Sequence, residues 1–379
     1  MTPLLRAFRT EFWRIWTDPG AASTMVLAVL IYAVFYPQPY LNEAVRRVPV
    51  IVVDQDNSAT SRELIRRIDA TDGAAVAASA TDMQAARDAF FARKVSAIVV
   101  VPVDFERDLM AGRQSPIAAY GDGGYFLIYR QVIGAIRAAA GSLGTDIASN
   151  RLVAAGADPA SARALADPMP ATLIPLFNPQ GGYASYVVPA AFVLILQQTL
   201  LMGIGILGTA TRKPSEDGED DEIACLFGKV LAYVALYGVW FYLYLVIMPY
   251  WYHLPRLGSA VDLVLLGLPF LLATSFLGLT LANLLPSRES VVLMLVVLGL
   301  PLFFLSGISW PYESQPENIR LASQFIPSTS AMRGLVRIGQ MGASLADVRQ
   351  EWIVLWALTG LYGATALIGQ WRRKSAVQF

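Results

Sequence analysis

The chain has 379 residues, of which 55% are hydrophobic and only 15% charged, and its mean hydropathy is +0.48. Soluble domains carry about 25% charge, so a soluble or disordered protein is excluded. The 29 basic and 29 acidic residues cancel, which leaves no nucleic-acid footprint, and one cysteine and one histidine exclude disulfide frameworks, cysteine zinc sites and most histidine-dependent chemistry.

Residues 4–16, Leu-Leu-Arg-Ala-Phe-Arg-Thr-Glu-Phe-Trp-Arg-Ile-Trp, repeat apolar side chains at helical spacing. Leu5, Phe8, Phe12, Ile15 and Trp16 form one stripe, with arginines expected on the other side. This predicts an amphipathic helix lying on a membrane surface, in contact with lipid.

A hydrocarbon core about 30 Å thick needs about 20 helical residues, and a central charge there is costly. Six windows of that length lack Asp, Glu, Lys and Arg: Pro19–Asn42, Ala184–Thr211, Val230–Pro255, Leu263–Ser287, Ser290–Tyr312 and Trp352–Trp371. The first reads as an uncleaved anchor, because Tyr36-Pro-Gln-Pro-Tyr40 offers no small-residue cleavage site. Basic residues before span 1 (Arg6, Arg9, Arg14), between spans 2 and 3 (Arg212, Lys213, Lys229), at Arg288 and after span 6 (Arg372, Arg373, Lys374) all fall on one side, while Arg256, Arg320, Arg333 and Arg337 fall on the other. The former side is expected to be the cytoplasm, with both termini there and the largest remainder outside.

That remainder alternates strand and helix. Val48–Val53, Ala74–Ala78, Val95–Val101 and Ile117–Tyr120 read as strands. Helices are expected at Ser58–Ala70 (capped by Ser58 or Thr60), Thr81–Lys94 (capped by Thr81 or Asp82), Asp104–Gly112, 125–156 and Asp158–Ala166. The pattern predicts an α/β domain with a mixed sheet. Asp54-Gln55-Asp56 reads as a capping turn, with no second acidic cluster to suggest chemistry. The division expected is 1–18 interfacial helix, 19–42 first span, 43–180 extracytoplasmic α/β domain and 181–379 five-span domain. The fold class is therefore an α-helical polytopic membrane protein, six transmembrane helices arranged 1+5, with the α/β domain between spans 1 and 2.

No GxxxxGK[ST], HExxH or GxSxG motif occurs, so neither P-loop ATP hydrolysis nor those hydrolytic sites belong to this chain. No metal site and no bound cofactor are expected. Gln197 and Gln198 are the most polar pair midway along span 2; they serve either interhelical hydrogen bonding or the lining of a passage. Gly203, Gly205 and Gly208 on the same span permit close helix approach. His253, beside Trp251 and Tyr252, fits an interfacial aromatic belt, and Cys225 fits a small apolar position. Between spans 2 and 3, Glu216-Asp217-Gly218-Glu219-Asp220-Asp221-Glu222 places six acids in seven positions, either a solvated loop or a docking point for a basic partner.

The stretch Phe304-Leu-Ser-Gly-Ile-Ser-Trp-Pro311, then Gln315-Pro-Glu-Asn318, Phe325-Ile-Pro-Ser-Thr329 and Arg333-Gly334, resembles the signature near the last span of ABC-2 type transporter permeases. Val52-Val-Asp-Gln-Asp-Asn-Ser58 with Ser61-Arg-Glu-Leu64 is similar to the start of the extracytoplasmic domain in their drug-export branch, as are Tyr183–Pro189 and Leu196–Leu200 at span 2. The resemblance implies a bacterial inner-membrane permease that works as a homo- or heterodimer on a separate ATP-binding subunit, which holds the ATP and Mg. A periplasmic adaptor and an outer-membrane channel are further implied partners; nucleic acid is not. It implies ATPase contacts at about 4–16 (Phe8, Phe12, Trp16) and 212–229 (Glu219, Asp220, Asp221, Glu222, Lys229), although relatives often carry an Arg-Glu-x-Gly-Thr pattern where this chain has its acidic run. It also implies short outer helices re-entering the membrane over about 306–340, marked by Ser306, Gly307, Pro311, Pro316 and Pro327.

The function expected is export of hydrophobic or amphipathic, drug-like compounds. A lipid or polysaccharide cargo is the nearest alternative. A secondary transporter is disfavoured by the scarcity of intramembrane charges, a membrane-anchored binding module by five surplus spans, and an intramembrane enzyme by the lack of His, Asp and Glu at depth.

Overall fold

The computed structural model describes residues 2–42, 44–179, 181–210, 222–307 and 310–377. Two compact units divide it: Ala44–Ile174, and the chain on either side of that segment. Among the described residues, six helices are long and apolar enough to cross a membrane: Pro19–Tyr40, Tyr183–Thr209, Glu222–Trp251, Ala260–Leu284, Arg288–Leu305 and Arg349–Arg372, hereafter spans 1 to 6. The chain is a polytopic helical membrane protein with a small mixed sheet.

Helix α1 (Pro3–Thr17) precedes span 1. Asp18 ends α1 and caps span 1, its side chain accepting the Ala21 N–H at 3.0 Å. The same carboxylate pairs with Arg288 at the start of span 5, 3.0 Å away.

In the second unit, strands β1 (Val48–Asp54), β2 (Ala74–Ala80), β3 (Ala97–Val101) and β4 (Ala118–Gly121) form one sheet in the order β2-β1-β3-β4. The central β1 is parallel to β2 and β3, and β4 closes the sheet antiparallel to β3. Helices α2 (Ala59–Asp69), α3 (Met83–Phe91), α4 (Phe105–Met110), α5 (Phe126–Ala154) and α6 (Pro159–Ala166) follow in chain order. β1 is buried on both faces, which explains its unbroken β-branched run. Val48, Val50 and Val52 meet Leu64, Ile68, Val132 and Ile136 on one side, while Ile51 and Val53 meet Ala86 and Val95 on the other.

The turn after β1 is a capping device. Asp54 Oδ1 accepts the Asp56 and Asn57 N–H groups, and Asp54 Oδ2 accepts the Ser61 hydroxyl at 2.7 Å. Asp56 Oδ2 then accepts the Glu106 N–H in the first turn of α4, at 3.1 Å, while Glu106 Oε1 accepts the Thr60 hydroxyl at 2.7 Å. Glu106 Oε1 also accepts the Thr60 N–H at 3.3 Å, so the turn before α2 and the first turn of α4 satisfy free donors of one another's helices. Of the alternatives for the other caps, Ser58 and Asp82 hold the positions. Helix α3 is shorter than Thr81–Lys94, because Arg93, in the left-handed region at φ 59°, turns the chain toward β3.

Span 2 is the centre of the membrane unit, with Phe192, Leu196, Leu200 and Ile204 wholly buried. Its glycines meet three different neighbours: a Cβ at Gly203 would strike Met25 of span 1, at Gly205 Val291 of span 5, and at Gly208 Ala282 of span 4. Prolines inside spans are tolerated where another helix supplies a donor. Pro189 leaves the Ser185 carbonyl without its helical N–H, and Gln340 donates to it. Pro269 does the same to Leu265, and Trp352 Nε1 donates there at 3.2 Å.

Span 1 runs beside span 3 and is stitched to it by aromatic donors. Trp240 Nε1 donates to the Met25 carbonyl at 3.0 Å, the Tyr244 hydroxyl to Val29 at 2.5 Å and the Tyr252 hydroxyl to Ala33 at 3.1 Å. Between spans 5 and 6 lie α7 (Glu317–Ser323) and α8 (Pro327–Met341).

Candidate functional site

Three groups of sequence-singled residues belong to the membrane unit. The first lies along α1. Phe8 and Phe12 stack with ring centres 5.9 Å apart, and Phe12 and Trp16 follow at 6.4 Å. The buried stripe is rotated from the one expected. Glu11 and Ile15 are buried, Phe8 and Phe12 are partly buried, and Leu5 and Trp16 are exposed. Arg14 is turned inward rather than lying on the outer face: its guanidinium donates to Glu11 at 2.7 Å and to the Leu207 carbonyl of span 2 at 3.0 Å. The cause is Glu11, whose buried carboxylate demands a cation.

Span 3 crosses α1 at Gly228, where a Cβ would come within 2.5 Å of the Leu4 carbonyl and 2.7 Å of Ala7 Cβ. Glu222 and Lys229 sit on that segment, both partly buried. Glu219, Asp220 and Asp221 lie outside the described residues, as do Arg212 and Lys213.

The second group is the glutamine pair. Gln197 is fully buried, and its Oε1 accepts the Ser328 N–H at the start of α8, at 2.7 Å. Gln198 Nε2 donates to the Leu295 carbonyl of span 5 at 3.3 Å. Both are interhelical ties, one to each neighbour. Gln197 Nε2, Gln198 Oε1 and the Ser328 and Thr329 hydroxyls have no hydrogen-bond partner among the described residues, so polar capacity is left over around the first turn of α8. The Gln340 contact at Ser185 makes α8 antiparallel to span 2. The start of α8 therefore lies about 18 Å along span 2 from that end, near the middle of the helix.

The third group is the 306–327 signature. Gly307, at φ +87°, takes the left-handed position that closes span 5 after the Ser306 cap. Pro311 precedes the short turn Tyr312–Ser314, Pro316 caps α7, and Pro327 opens α8, where a missing N–H costs nothing. The structure thus brings this signature to Gln197 through Ser328.

Beside it lies an ion cluster that sequence reading missed. Glu351, buried in the first turn of span 6, accepts from Arg333 at 3.0 Å and Arg337 at 3.3 Å. Arg333 also stands 4.2 Å over the Tyr312 ring. A lone acid opening an otherwise apolar span, with two arginines one turn apart upstream, was the available signal. For Glu11 the signal was an acid at i−4 from Ile15 on the apolar face.

Residues 22–368 match the model of the ABC-2 family transporter proteins. The chain belongs to the ABC-2 family. No curated protein matches it. As an ABC-2 member it is the membrane permease of an ABC transporter, a multi-pass transport subunit rather than a catalytic one. Membership implies an ATP-binding partner subunit in general.

Proposed function

We propose that this permease exports hydrophobic or amphipathic, drug-like compounds from a bacterial cytoplasmic membrane. Energy comes from ATP and Mg on a separate subunit, and the permease pairs with a second permease subunit. Different nucleotide states of the partner shift the permease between conformations by binding one better than the other. The α1 helix, the 211–221 segment and both termini face the cytoplasm in this reading, and the α/β unit stands in the periplasm, where an adaptor and outer-membrane channel dock. The charge count supports that orientation. Of the arginines that fall on the opposite side, Arg333 and Arg337 share the single carboxylate of Glu351, and Arg256 lies over the Tyr250 ring at 4.9 Å.

The observation that carries the cargo class is a groove of about 460 Å³ where the starts of spans 1 and 5 meet the end of span 2. Gly20, Ile206, Val292, Leu293 and Val296 give it an apolar wall; Arg288, paired with Asp18, and Glu289 give it a charged mouth. The groove is open rather than enclosed, and its apolar wall with a charged rim suits an amphipath entering from the cytoplasmic leaflet.

The test is reconstitution with the ATPase in inside-out vesicles. ATP-dependent accumulation of an amphipathic dye is expected, and Val292→Trp, which fills the groove, reduces it while the complex still assembles. ATP hydrolysis by this chain alone, or dye movement in the opposite direction, overturns the reading.

A further inference from the structure

Glu11 is a buried carboxylate on a surface helix, only 2% exposed. A buried charge persists only where its lone pairs are satisfied. Both oxygens are: the Tyr233 hydroxyl of span 3 donates to Oε1, and Arg14 donates to Oε2. Arg14 spends its other nitrogen on the Leu207 carbonyl in the last turn of span 2, where the helix dipole favours a cation. One carboxylate therefore joins three elements: α1, the end of span 2 and the first half of span 3. Spans 2 and 3 are the helices that flank residues 211–221.

At Gly228 span 3 also packs closely on α1, against Ala7 and the Leu4 backbone. A slip of one helical turn, about 5.4 Å, would strand the Glu11 carboxylate away from both donors. The Glu11–Tyr233 bond also extends the run of span 3 donors at Trp240, Tyr244 and Tyr252 that fixes span 1. The aromatic ladder thus continues below span 1 into α1.

We propose that Glu11 is a positioning residue for energy coupling. With Arg14 and Tyr233 it makes α1, the end of span 2 and the start of span 3 move as one body, so that a displacement imposed on α1 reaches both spans. The coupling role rests on the reading above that α1 faces the ATPase; the rigid joint itself does not.

Two measurements separate these. Spin labels on cysteines at Thr10 and Leu231, both exposed, in a Cys225→Ser background of the full chain in nanodiscs, report the α1–span 3 distance with no ATPase present. A narrow distribution is expected, broadened by Glu11→Ala and by Tyr233→Phe. Glu11→Gln keeps it narrow, because its carbonyl accepts from Arg14 while its amide donates to the Tyr233 oxygen. In the reconstituted complex, transport per ATP hydrolysed falls about tenfold in Glu11→Ala and Tyr233→Phe, a middling coupling free energy, and Glu11→Gln restores it. Unchanged distance distributions overturn the joint. Transport and hydrolysis falling in proportion, with the ratio intact, overturns the coupling role. If the wild-type complex moves no dye, the exporter reading fails and the distance measurement alone decides the joint.

Discussion

The α/β unit and the membrane unit satisfy their polar groups by opposite strategies. In the α/β unit the partners are mostly near in sequence: Ser58 caps α2, Asp82 caps α3 and Asp158 caps α6, each through the N–H three residues on. In the membrane unit the side chain reaches across the chain. Gln197 meets Ser328, Trp352 meets Leu265, and Tyr233 meets Glu11. Water can serve any group left over in the first case. In the second, hydrocarbon offers nothing, so a polar side chain is spent on a distant helix or left orphaned. The lesson is that local chemistry sets the elements of the first unit, while long-range polar contacts set the arrangement of the second.

The sharpest way to break that contrast is at Glu351. Glu351→Ala leaves Arg333 and Arg337 without their carboxylate, and the expected loss is about 3 kcal/mol, the low end for a broken buried pair because Arg337 is partly exposed. Thermal unfolding of the detergent-solubilised chain measures it. An unchanged midpoint means the cluster is a solvated surface feature, and the contrast weakens.

A smaller effect is expected at the start of α8. Gln197→Leu removes the acceptor of the Ser328 N–H and costs about 1–2 kcal/mol. Ser328→Ala removes a hydroxyl that has no partner among the described residues and is expected to be neutral or stabilising. The ordering of the two in the same unfolding assay is the check. A loss at Ser328→Ala larger than at Gln197→Leu would mean the hydroxyl is engaged in a way the structure does not show.

What sequence reading reaches follows the same division. Span positions were legible because charge is excluded from hydrocarbon over a length fixed by the bilayer. The strands and helices of residues 48–166 were legible because β1 and β3 are β-branched runs and the caps are local. The rotation of α1 was not, because the pattern Leu5, Phe8, Phe12, Ile15 and Trp16 is apolar whether it faces lipid or protein. Glu11 at i−4 from Ile15 was the one sequence signal of an inward position, and the partner on span 3, more than two hundred residues away, shows what it serves. Gln197 was legible as an unusual residue, but not as a tie to α8. Its two roles are indistinguishable until the start of that helix is brought beside it. The Glu351 cluster was hidden for the same reason: arginines near a span end read as topology signals, whereas here they are paired.

The smallest expected effect concerns acid, and it sharpens the comparison because each unit can be read separately; in the membrane unit Asp347 is likewise held low, by the Ser344 hydroxyl and N–H. In the α/β unit, Asp56 is held below the usual carboxylate range first by its hydrogen bond with Ser58; burial opposes this, and the N–H groups at the start of α4 add to the lowering. Asp82 is held low by the Ala85 N–H, and Glu63 by Arg67. For each, the folded value lies below the unfolded one. Their contribution is therefore complete above the unfolded carboxylate range, about pH 4, and is lost as pH falls through the lower folded values. No change is expected between pH 7 and 5, and loosening of the α/β unit is expected below about pH 4. An acid-active protease with mass analysis reads cuts within 44–174. Tryptophan emission reads the other unit, because every tryptophan lies outside that segment. Asp56→Asn keeps an oxygen for the Glu106 N–H but gives up the charge, so it loses about 0.5–1 kcal/mol near neutral pH and then responds less to acid. Cuts that appear already at pH 5, or a tryptophan change already at that pH, would show that groups other than these carboxylates titrate first.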